Sequence, residues 1–221
     1  MRADKETIFG LLKKQGVLPL MSHADKDVCL KLLKASYQAG IRIFEFACRY
    51  DNAADVFTAL KEYADRYMPE LVLGTGTMMN KADAGLYLSL GSDFIVSPII
   101  DEETGKFCVS ENVFWCPGAG TLTEIVHAHR LGADLVKIFP AETLGGAAFV
   151  KAIKAPCPWL KLMPTGGVTL EENNLRNWFA SGVVCVGIGS ALYSKELTAG
   201  TEEEMTAVVG TLMNTIERVR K

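Results

Sequence analysis

A lysine lies inside an apolar segment in the second half of the chain. The run Leu-Val-Lys-Ile-Phe-Pro (135–140) places Lys137 among residues typical of a buried strand. Because burial disfavours an ammonium group, a neutral amine that can attack a carbonyl carbon becomes accessible there. A neutral lysine is the nucleophile that Schiff-base formation requires. The alternative is a structural lysine that reaches out of the strand end or pairs with a carboxylate.

A carboxylate interrupts another apolar run in the same way. Glu45 stands between Phe44 and Phe46, and alternation along a strand predicts that Ile41, Ile43 and Glu45 share the inward face. A carboxyl group beside a lysine in a dry site is a candidate proton shuttle. A structural ion pair between Glu45 and that lysine is the alternative interpretation.

Two more segments follow predicted strands and carry groups that bind ligands. Arg49 could hold a carboxylate through two parallel hydrogen bonds, although its position alone favours an ordinary exposed loop arginine. Gly-Thr-Gly-Thr (74–77) lacks the Gly-x-Gly-x-x-Gly spacing of dinucleotide-binding turns. We interpret it as a loop of close backbone approach that presents the hydroxyl of Thr77.

Two glycine-containing pairs come after the last two predicted strands. Gly166-Gly167 and Gly189-Ser190 match the phosphate site common in barrels, where these loops and a short helix present backbone N–H groups. Ser190 would begin that short helix. Ordinary glycine turns are the alternative.

The elements that must position these residues repeat along the chain. A helix end, a glycine and a buried strand recur at 39–43, 90–95, 131–136 and 181–186, which is typical of parallel βα units. Strands are predicted at 17–21, 41–46, 71–75, 93–97, 113–116, 134–138, 160–164 and 183–187, and helices at 25–39, 52–66, 80–90, 101–108, 121–131, 144–154, 170–181 and 202–220. Eight such pairs predict an α/β fold, a single (β/α)₈ TIM barrel spanning residues 1–221, with a doubly wound open sheet as the alternative.

Local signals support several of these helix boundaries. Asn80 and Thr121 are candidate N-caps, and Thr169 followed by Glu172 predicts a capping box. Glycines that could close helices in a left-handed conformation follow four of the predicted helices, at positions 40, 91, 132 and 182.

Composition restricts the classes of function. Hydrophobic residues make up 49% and charged residues 22%, which favours a large core over disorder. The net charge of −3 and the lack of a basic stripe argue against a nucleic-acid partner. No segment is typical of a signal peptide or membrane span, so we expect a cytoplasmic protein without a membrane partner.

Cysteine and histidine usage predicts neither disulfides nor a metal. The six cysteines include no Cys-x-x-Cys pair and are expected to be free thiols in the core. Of the three histidines, His127 and His129 are two positions apart on one predicted helix and would point in different directions. We therefore expect neither a catalytic metal nor a cofactor.

Taken together, the strand-end segments resemble the 2-keto-3-deoxy-6-phosphogluconate (KDPG) and 4-hydroxy-2-oxoglutarate (KHG) aldolase family, small (β/α)₈ class I aldolases. The resemblance covers nearly the whole chain. It runs through Val17–Pro19, Glu45–Arg49, Gly74–Asn80, Ser97-Pro98, Pro117-Gly118, Lys137–Glu142, Pro164–Gly167 and Gly187–Ser190.

The resemblance implies a role for each strand-end residue. Lys137 would form the Schiff base and Glu45 would be the general acid/base. The pyruvate carboxylate would bind Arg49 and Thr77, and the remaining residues would line the pocket or hold the substrate phosphate: Pro98, Phe139, Gly166, Gly167, Gly189 and Ser190. A small keto acid would be the substrate, and a homotrimer the assembly.

One departure concerns the residues between Glu45 and Arg49, where family members often carry a polar residue such as threonine. This chain has Phe46-Ala47-Cys48, which predicts a more apolar pocket. The sequence leaves the preferred keto acid open among the phosphogluconate derivative, its galactonate epimer and KHG. A barrel isomerase or epimerase without a covalent intermediate, and a non-catalytic sugar-acid-phosphate binding protein, are the alternative functions.

Overall fold

The computed structural model describes residues 2–221 apart from the side chain of Glu196, and Met1 of the predicted domain 1–221 lies outside the described residues. Strands and helices alternate along it. The strands are β1 (Val17–Met21), β2 (Ile43–Ala47), β3 (Val72–Gly76), β4 (Phe94–Val96), β5 (Phe114–Cys116), β6 (Gly118–Ala119), β7 (Val136–Ile138), β8 (Leu162–Pro164) and β9 (Val186–Ile188). The helices are α1 (Lys5–Gln15), α2 (Lys26–Gln38), α3 (Ala53–Tyr67), α4 (Lys81–Ser89), α5 (Glu102–Ser110), α6 (Leu122–Arg130), α7 (Gly146–Lys154), α8 (Glu172–Ala180), α9 (Lys195–Ala199) and α10 (Glu202–Val219).

The strands are parallel and form one curled sheet. Six of them run in the order β5-β4-β3-β2-β1-β9, and β6-β7-β8 form the rest. A parallel bridge between Thr165 and Gly187 joins the β8 end to β9. On the other side, β5 and β6 are two parts of one strand interrupted at Pro117, whose carbonyl accepts a hydrogen bond from the Lys137 N–H (2.8 Å). The (β/α)₈ barrel predicted from the sequence is confirmed.

Alternate residues of each strand face the barrel interior or the helices. Leu135 belongs to the interior cluster with Leu18 and Met163, whereas Val136 and Ile138 pack in the outer layer. The sequence correctly predicted that Leu135 faces the barrel interior and that Val136 and Ile138 face the helices.

The prediction that Ile41 faces the barrel interior is wrong. Ile43 lies in the interior cluster as expected, but Ile41 packs in the outer layer. The physical reason is that β2 begins only at Ile43, so strand alternation does not extend back to position 41.

Helix α1, which the sequence did not predict, precedes β1 and lies at the amino-terminal ends of the strands. Its buried residues Ile8 and Leu12 belong to the interior cluster. The helix begins after Asp4, whose carboxylate accepts from the Thr7 N–H (2.7 Å), and ends at Gly16 with φ 75°. It closes the end of the barrel opposite the strand ends that carry the candidate site.

The predicted N-caps Asn80 and Thr121 are correct, and Thr121 forms a capping box with Glu124. The predicted capping box of Thr169 and Glu172 is wrong, because α8 begins at Glu172 itself with Glu171 as N-cap. The four glycines predicted to close helices, at 40, 91, 132 and 182, have φ values between 88° and 100°.

Ser190 does not begin the short helix predicted after β9. The N–H groups of Leu192 and Tyr193 both donate to the Gly189 carbonyl, which makes a turn first. The helix α9 starts later, at Lys195, where the Ser194 side chain accepts from the Leu197 N–H. In the part of the chain that the structure describes, no helix is both long and apolar enough to cross a membrane.

Candidate active site

Lys137 is the central residue of β7 and points into the barrel. Its side chain is 5% exposed, and the flanking Val136 and Ile138 face the helices. The Nζ atom lies 5.2 Å from the centroid of the Phe139 ring. Among the side chains that the structure describes, the Lys137 amine has no ion-pair or hydrogen-bond partner. The structural pairing considered for Lys137 is therefore not formed, and the amine is left available to a ligand.

Glu45 lies on β2 and is 1% exposed. Its Oε2 atom is buried and has no hydrogen-bond partner among the described residues. Burial raises the pKa of Glu45, and the positive charges of Lys137 and Arg49 oppose that rise. The carboxyl group therefore retains a proton to higher pH than an ordinary glutamate, as a proton-transferring group near neutral pH must.

Two glycines on β3 leave room for the side chains of Glu45 and Phe94. A Cβ at residue 76 would overlap the Glu45 carboxylate, and a Cβ at residue 74 would overlap the Phe94 ring. The close approach expected for the Gly-Thr-Gly-Thr segment is thus an approach of Glu45 and Phe94 to the β3 backbone. Glycine at position 76 is a steric requirement for the buried carboxylate.

Thr77 follows β3 in an unusual backbone conformation. Its φ is 70°, in the left-handed region that a threonine rarely adopts. Such conformations concentrate at functional sites, where the surrounding structure holds them. The residue is half-buried at the mouth end of β3.

Arg49 is exposed after the end of β2 and lines a cavity of about 330 Å³. Gly189 and Ser190 line the same cavity, so the structure brings these three predicted residues together. His23 and Lys195 also line it. The positive charges of Arg49 and Lys195 make the cavity electrostatically suited to an anion.

Gly166 and Gly167 have φ values of 90° and 86° and pack against the loop after β7. The Glu142 N–H donates to the Gly166 carbonyl (3.0 Å), and a Cβ at residue 167 would overlap the Glu142 side chain. These glycines are not among the residues that line the cavity of Arg49. Gly166 and Gly167 nevertheless follow β8, which is bridged to β9 through Thr165 and Gly187, so the two predicted phosphate segments come after neighbouring strands.

Pro98 and Phe139 line another cavity, of about 530 Å³. Gly118 also lines it, and a Cβ at that glycine would overlap the Pro98 carbonyl. Phe139 is 38% exposed, so its ring covers the Lys137 amine on one side and meets solvent on the other.

The segment 46–48 is only partly inward-facing. Phe46 stacks on Phe57 of α3 with ring centroids 6.3 Å apart, and Cys48 packs against the outer layer. Ala47 alternates with Glu45 and therefore shares its face. The expectation that all three residues make the pocket apolar is corrected, because only Ala47 can face it.

Sequence reasoning missed three residues of this rim. Thr165 is buried just after β8, and its Oγ1 has no partner within the described chain. Its position two residues after the inward Met163 was a usable signal. His23 and Lys195 had no such signal, because both lie outside the strands and only the folded loops bring them to the Arg49 cavity.

In the described part of the chain, which leaves out the Glu196 side chain, no three His, Cys, Asp or Glu side chains cluster in a way that could hold a metal ion. The ionisable groups of the site are instead an amine, a carboxyl and a guanidinium. Such a set can form a covalent imine, transfer protons and bind a carboxylate.

Comparison with known proteins gives a consistent family. The family model described as KDPG and KHG aldolase matches residues 8–208. The 2-dehydro-3-deoxy-phosphogluconate aldolase of Treponema pallidum is 31% identical over 203 residues, covering 91% of this chain and 94% of that protein. The 2-dehydro-3-deoxy-6-phosphogalactonate aldolase of Escherichia coli is 35% identical, with 88% and 90% covered.

Solved structures agree on the fold. A KDPG aldolase from Legionella pneumophila, with pyruvate captured as a covalent carbinolamine, superimposes with a TM-score of 0.83. The match covers 92% of this chain and 97% of that one at 23% identity.

Proposed function

Because the chain belongs to the KDPG and KHG aldolase family, we propose that Lys137 forms the Schiff base and Glu45 transfers the protons. The chain is a carbon–carbon lyase that binds a small keto acid and cleaves it reversibly to pyruvate and an aldehyde. The observation that carries the residue assignment is the unpaired Lys137 amine, buried in the barrel mouth close enough to Glu45 to affect its pKa.

The proposed reaction begins with attack of the neutral Lys137 Nζ on C2 of the keto acid. Protonation of the C2 oxygen gives a carbinolamine, and Glu45 then donates a proton as water leaves, so that a protonated imine forms. The carboxylate of Glu45, directly or through a water, takes the proton of the C4 hydroxyl. The electron pair of the C3–C4 bond moves to the imine, and the aldehyde departs.

The remaining steps regenerate the enzyme. The enamine takes a proton at C3, and water adds to the imine carbon, so that pyruvate and the free Lys137 amine are released. Arg49 and Thr77 are proposed to hold the substrate carboxylate during these steps, and Pro98 and Phe139 to line the pocket beside the imine. The covalent carbinolamine in the Legionella pneumophila relative supports this course.

A phosphorylated sugar acid is the proposed substrate, with glyceraldehyde 3-phosphate as the aldehyde. The phosphate is proposed to bind the backbone of Gly166, Gly167 and Gly189 and the side chain of Ser190. Support comes from the cavity at Ser190, where Arg49, His23 and Lys195 provide positive charge or N–H donors. Steady-state kinetics with KDPG, its galactonate epimer and KHG test the preference, and a higher kcat/KM for KHG would contradict it.

A homotrimer and a cytoplasmic location are also proposed. The exposed apolar side chains of Ile99 and Phe139 line one cavity and would be covered in an assembly. All six cysteines are free, which is typical of a reducing compartment. Light scattering should give three times the 24.0 kDa chain mass, and a monomer in solution would refute the trimer.

Residues 1–221 are proposed to form a single domain. Limited proteolysis of the native protein should then release no fragment that remains folded. A stable fragment cut at an internal loop would contradict the assignment.

Borohydride trapping tests the proposed chemistry. Incubation with pyruvate and borohydride should add one reduced pyruvate to the wild-type chain, at Lys137 by peptide mapping. Lys137→Met should prevent both the adduct and aldol cleavage, whereas Lys151→Met on the exposed side of α7 should change neither. Adduct on another lysine, or normal turnover by Lys137→Met, would overturn the assignment.

A further inference from the structure

The loop after β1 places a serine hydroxyl beside the candidate active site. Ser22 directly follows β1 and lines the same cavity as Arg49 and Ser190. Its Oγ atom is shielded from solvent and has no hydrogen-bond partner among the described residues. Native proteins pair almost all buried polar groups, because an unpaired group loses its bonds to water and gains none in return. The proposed reaction does not use this hydroxyl, so a bond to another part of the ligand is open to it.

Strand pairing places Ser22 near Glu45 and nearer the barrel mouth. In β1, Leu18 belongs to the interior cluster and Met21 packs in the outer layer, so alternation directs Ser22 inward. Leu20 is paired with Glu45 across β1 and β2. Ser22 is two residues beyond Leu20, which advances it by about 6.6 Å along the strand direction. The serine therefore follows the carboxyl-bearing layer on the same inner face.

Contacts within the loop hold Ser22 in this place. The Asp25 N–H donates to Nδ1 of His23 (3.0 Å), and the Asn52 side chain donates to the Ala24 carbonyl (2.8 Å). The backbone beside Ser22 is thus tied to the start of α2 and to the residue before α3. The Oγ atom itself can change position by rotation about one side-chain bond between staggered rotamers. A ligand in the cavity can therefore be met by the hydroxyl without movement of the loop.

The groups of the site lie in the same order as the carbon atoms of a phosphorylated sugar acid. The proposed function attaches C2 to Lys137, assigns the C4 hydroxyl to Glu45 and places the phosphate of C6 beside Ser190. Ser22 lies nearer the mouth than Glu45 and lines the cavity that Ser190 also lines. The carbon between C4 and C6 is C5, which carries a hydroxyl in this class of substrate.

We propose that the Ser22 hydroxyl forms a hydrogen bond with the C5 hydroxyl of the substrate and so selects for aldehydes that carry a hydroxyl at C2. Ser22 is then a specificity-determining residue. The inference rests on the proposed function, which assigns Lys137 to C2 and Glu45 to C4. Cleavage converts C1–C3 to pyruvate and C4–C6 to the aldehyde, so Ser22 should affect the choice of aldehyde and leave pyruvate capture unchanged.

The test measures aldol synthesis from saturating pyruvate and either of two aldehydes. Glyceraldehyde 3-phosphate and 3-oxopropyl phosphate differ only in the hydroxyl at C2, and Ser22→Ala removes the hydroxyl of the enzyme. The ratio of kcat/KM for the first aldehyde to that for the second should be about three- to tenfold lower in Ser22→Ala than in wild type, the effect of one hydrogen bond. A general loss of activity cancels in this double comparison.

Ser92→Ala is the matched control. Ser92 is 1% exposed and lies just before β4, and its hydroxyl is hydrogen-bonded to Thr75 (2.9 Å) and to the Phe94 carbonyl (2.9 Å). That variant should unfold at a lower temperature and keep the wild-type ratio for the two aldehydes. Ser22→Ala should unfold at the wild-type temperature or above it, because no hydrogen bond to a described residue is lost.

The proposal is overturned by an equal aldehyde ratio in wild type and Ser22→Ala, or by a loss of stability like that of Ser92→Ala. It is also overturned if Ser22→Ala changes the pyruvate concentration for half-maximal borohydride trapping, since Ser22 would then act at the other end of the substrate. Failure of the proposed function gives a different result. In that case wild-type protein forms neither the aldol product nor the pyruvate adduct, or Lys137→Met still forms the adduct.

Discussion

Replacement of Glu45 by glutamine should lower activity and raise stability at neutral pH. The variant keeps the size of the side chain but removes the ionisable group. Loss of a general acid/base lowers kcat by about 10²- to 10⁴-fold, which is about 3–5 kcal/mol of activation free energy. The stability gain follows from the environment of Glu45, which is buried and has an oxygen without a partner.

The direction of the pH dependence follows from the raised pKa of Glu45. In the unfolded chain the carboxyl loses its proton near the model value of 4.5, while in the folded chain it holds that proton to higher pH. Wild-type stability therefore contains a contribution that is fully present below the unfolded value. It is lost as pH rises through the folded value, at up to about 1.4 kcal/mol per pH unit.

Glu45→Gln has no such titration. Its free energy of unfolding relative to wild type should therefore increase between the unfolded and folded pKa values of Glu45 and then level off. Urea denaturation across about pH 4.5 to 8 measures the difference. Glu62→Gln, on the exposed face of α3, serves as the control and should give a curve parallel to wild type.

If the free energy of unfolding of wild type and of Glu45→Gln changed with pH in parallel, burial would not raise the pKa of Glu45 as argued. Retention of wild-type kcat by Glu45→Gln would refute its catalytic role. The two readouts are independent, so either part can fail alone.

Three further outcomes are expected. Gly76→Ala should displace the Glu45 carboxylate that its Cβ would overlap, and lower kcat at least about tenfold, measured by pyruvate release. Lys195→Met should raise the KM for a phosphorylated substrate about three- to tenfold and leave that for KHG unchanged, while Lys151→Met changes neither. Thr201→Ala should remove the capping box of α10 and cost about 1 kcal/mol in urea denaturation without changing kcat.

The barrel could be predicted from the sequence because its units repeat. Each strand is short and apolar, and glycines such as Gly40 and Gly132 end the helices in the left-handed conformation that the sequence suggested. Strand boundaries were less accurate, because Val183 and Val184 look like strand residues although β9 begins only at Val186. Hydrophobic pattern specifies burial, but the hydrogen-bond register decides where a strand starts.

The site was predictable where strand alternation applies. Charged residues in buried strands, Lys137 and Glu45, stood out against their neighbours, and both face inward. The spacing of Thr165 from Met163 predicted an inward side chain, but only the folded structure shows that its hydroxyl has no partner among the described residues. Lys195 depends on the path of a loop after β9, where the sequence wrongly placed the start of a helix at Ser190.

One end of the barrel contributes apolar packing to stability, and the other end carries the reactive groups. At the amino-terminal end, Ile8 and Leu12 of α1 complete an apolar interior with strand residues such as Phe94. At the opposite end, Lys137 and Glu45 are buried in the same interior, and Glu45 Oε2 has no hydrogen-bond partner among the described residues, an arrangement that lowers stability. A barrel whose interior was polar along its full length would not retain these groups in fixed positions. The apolar interior at the amino-terminal end holds in place the strands that carry the Lys137 amine and the Glu45 carboxyl group. These two groups can therefore stay in fixed positions while their hydrogen-bonding capacity is left to the substrate.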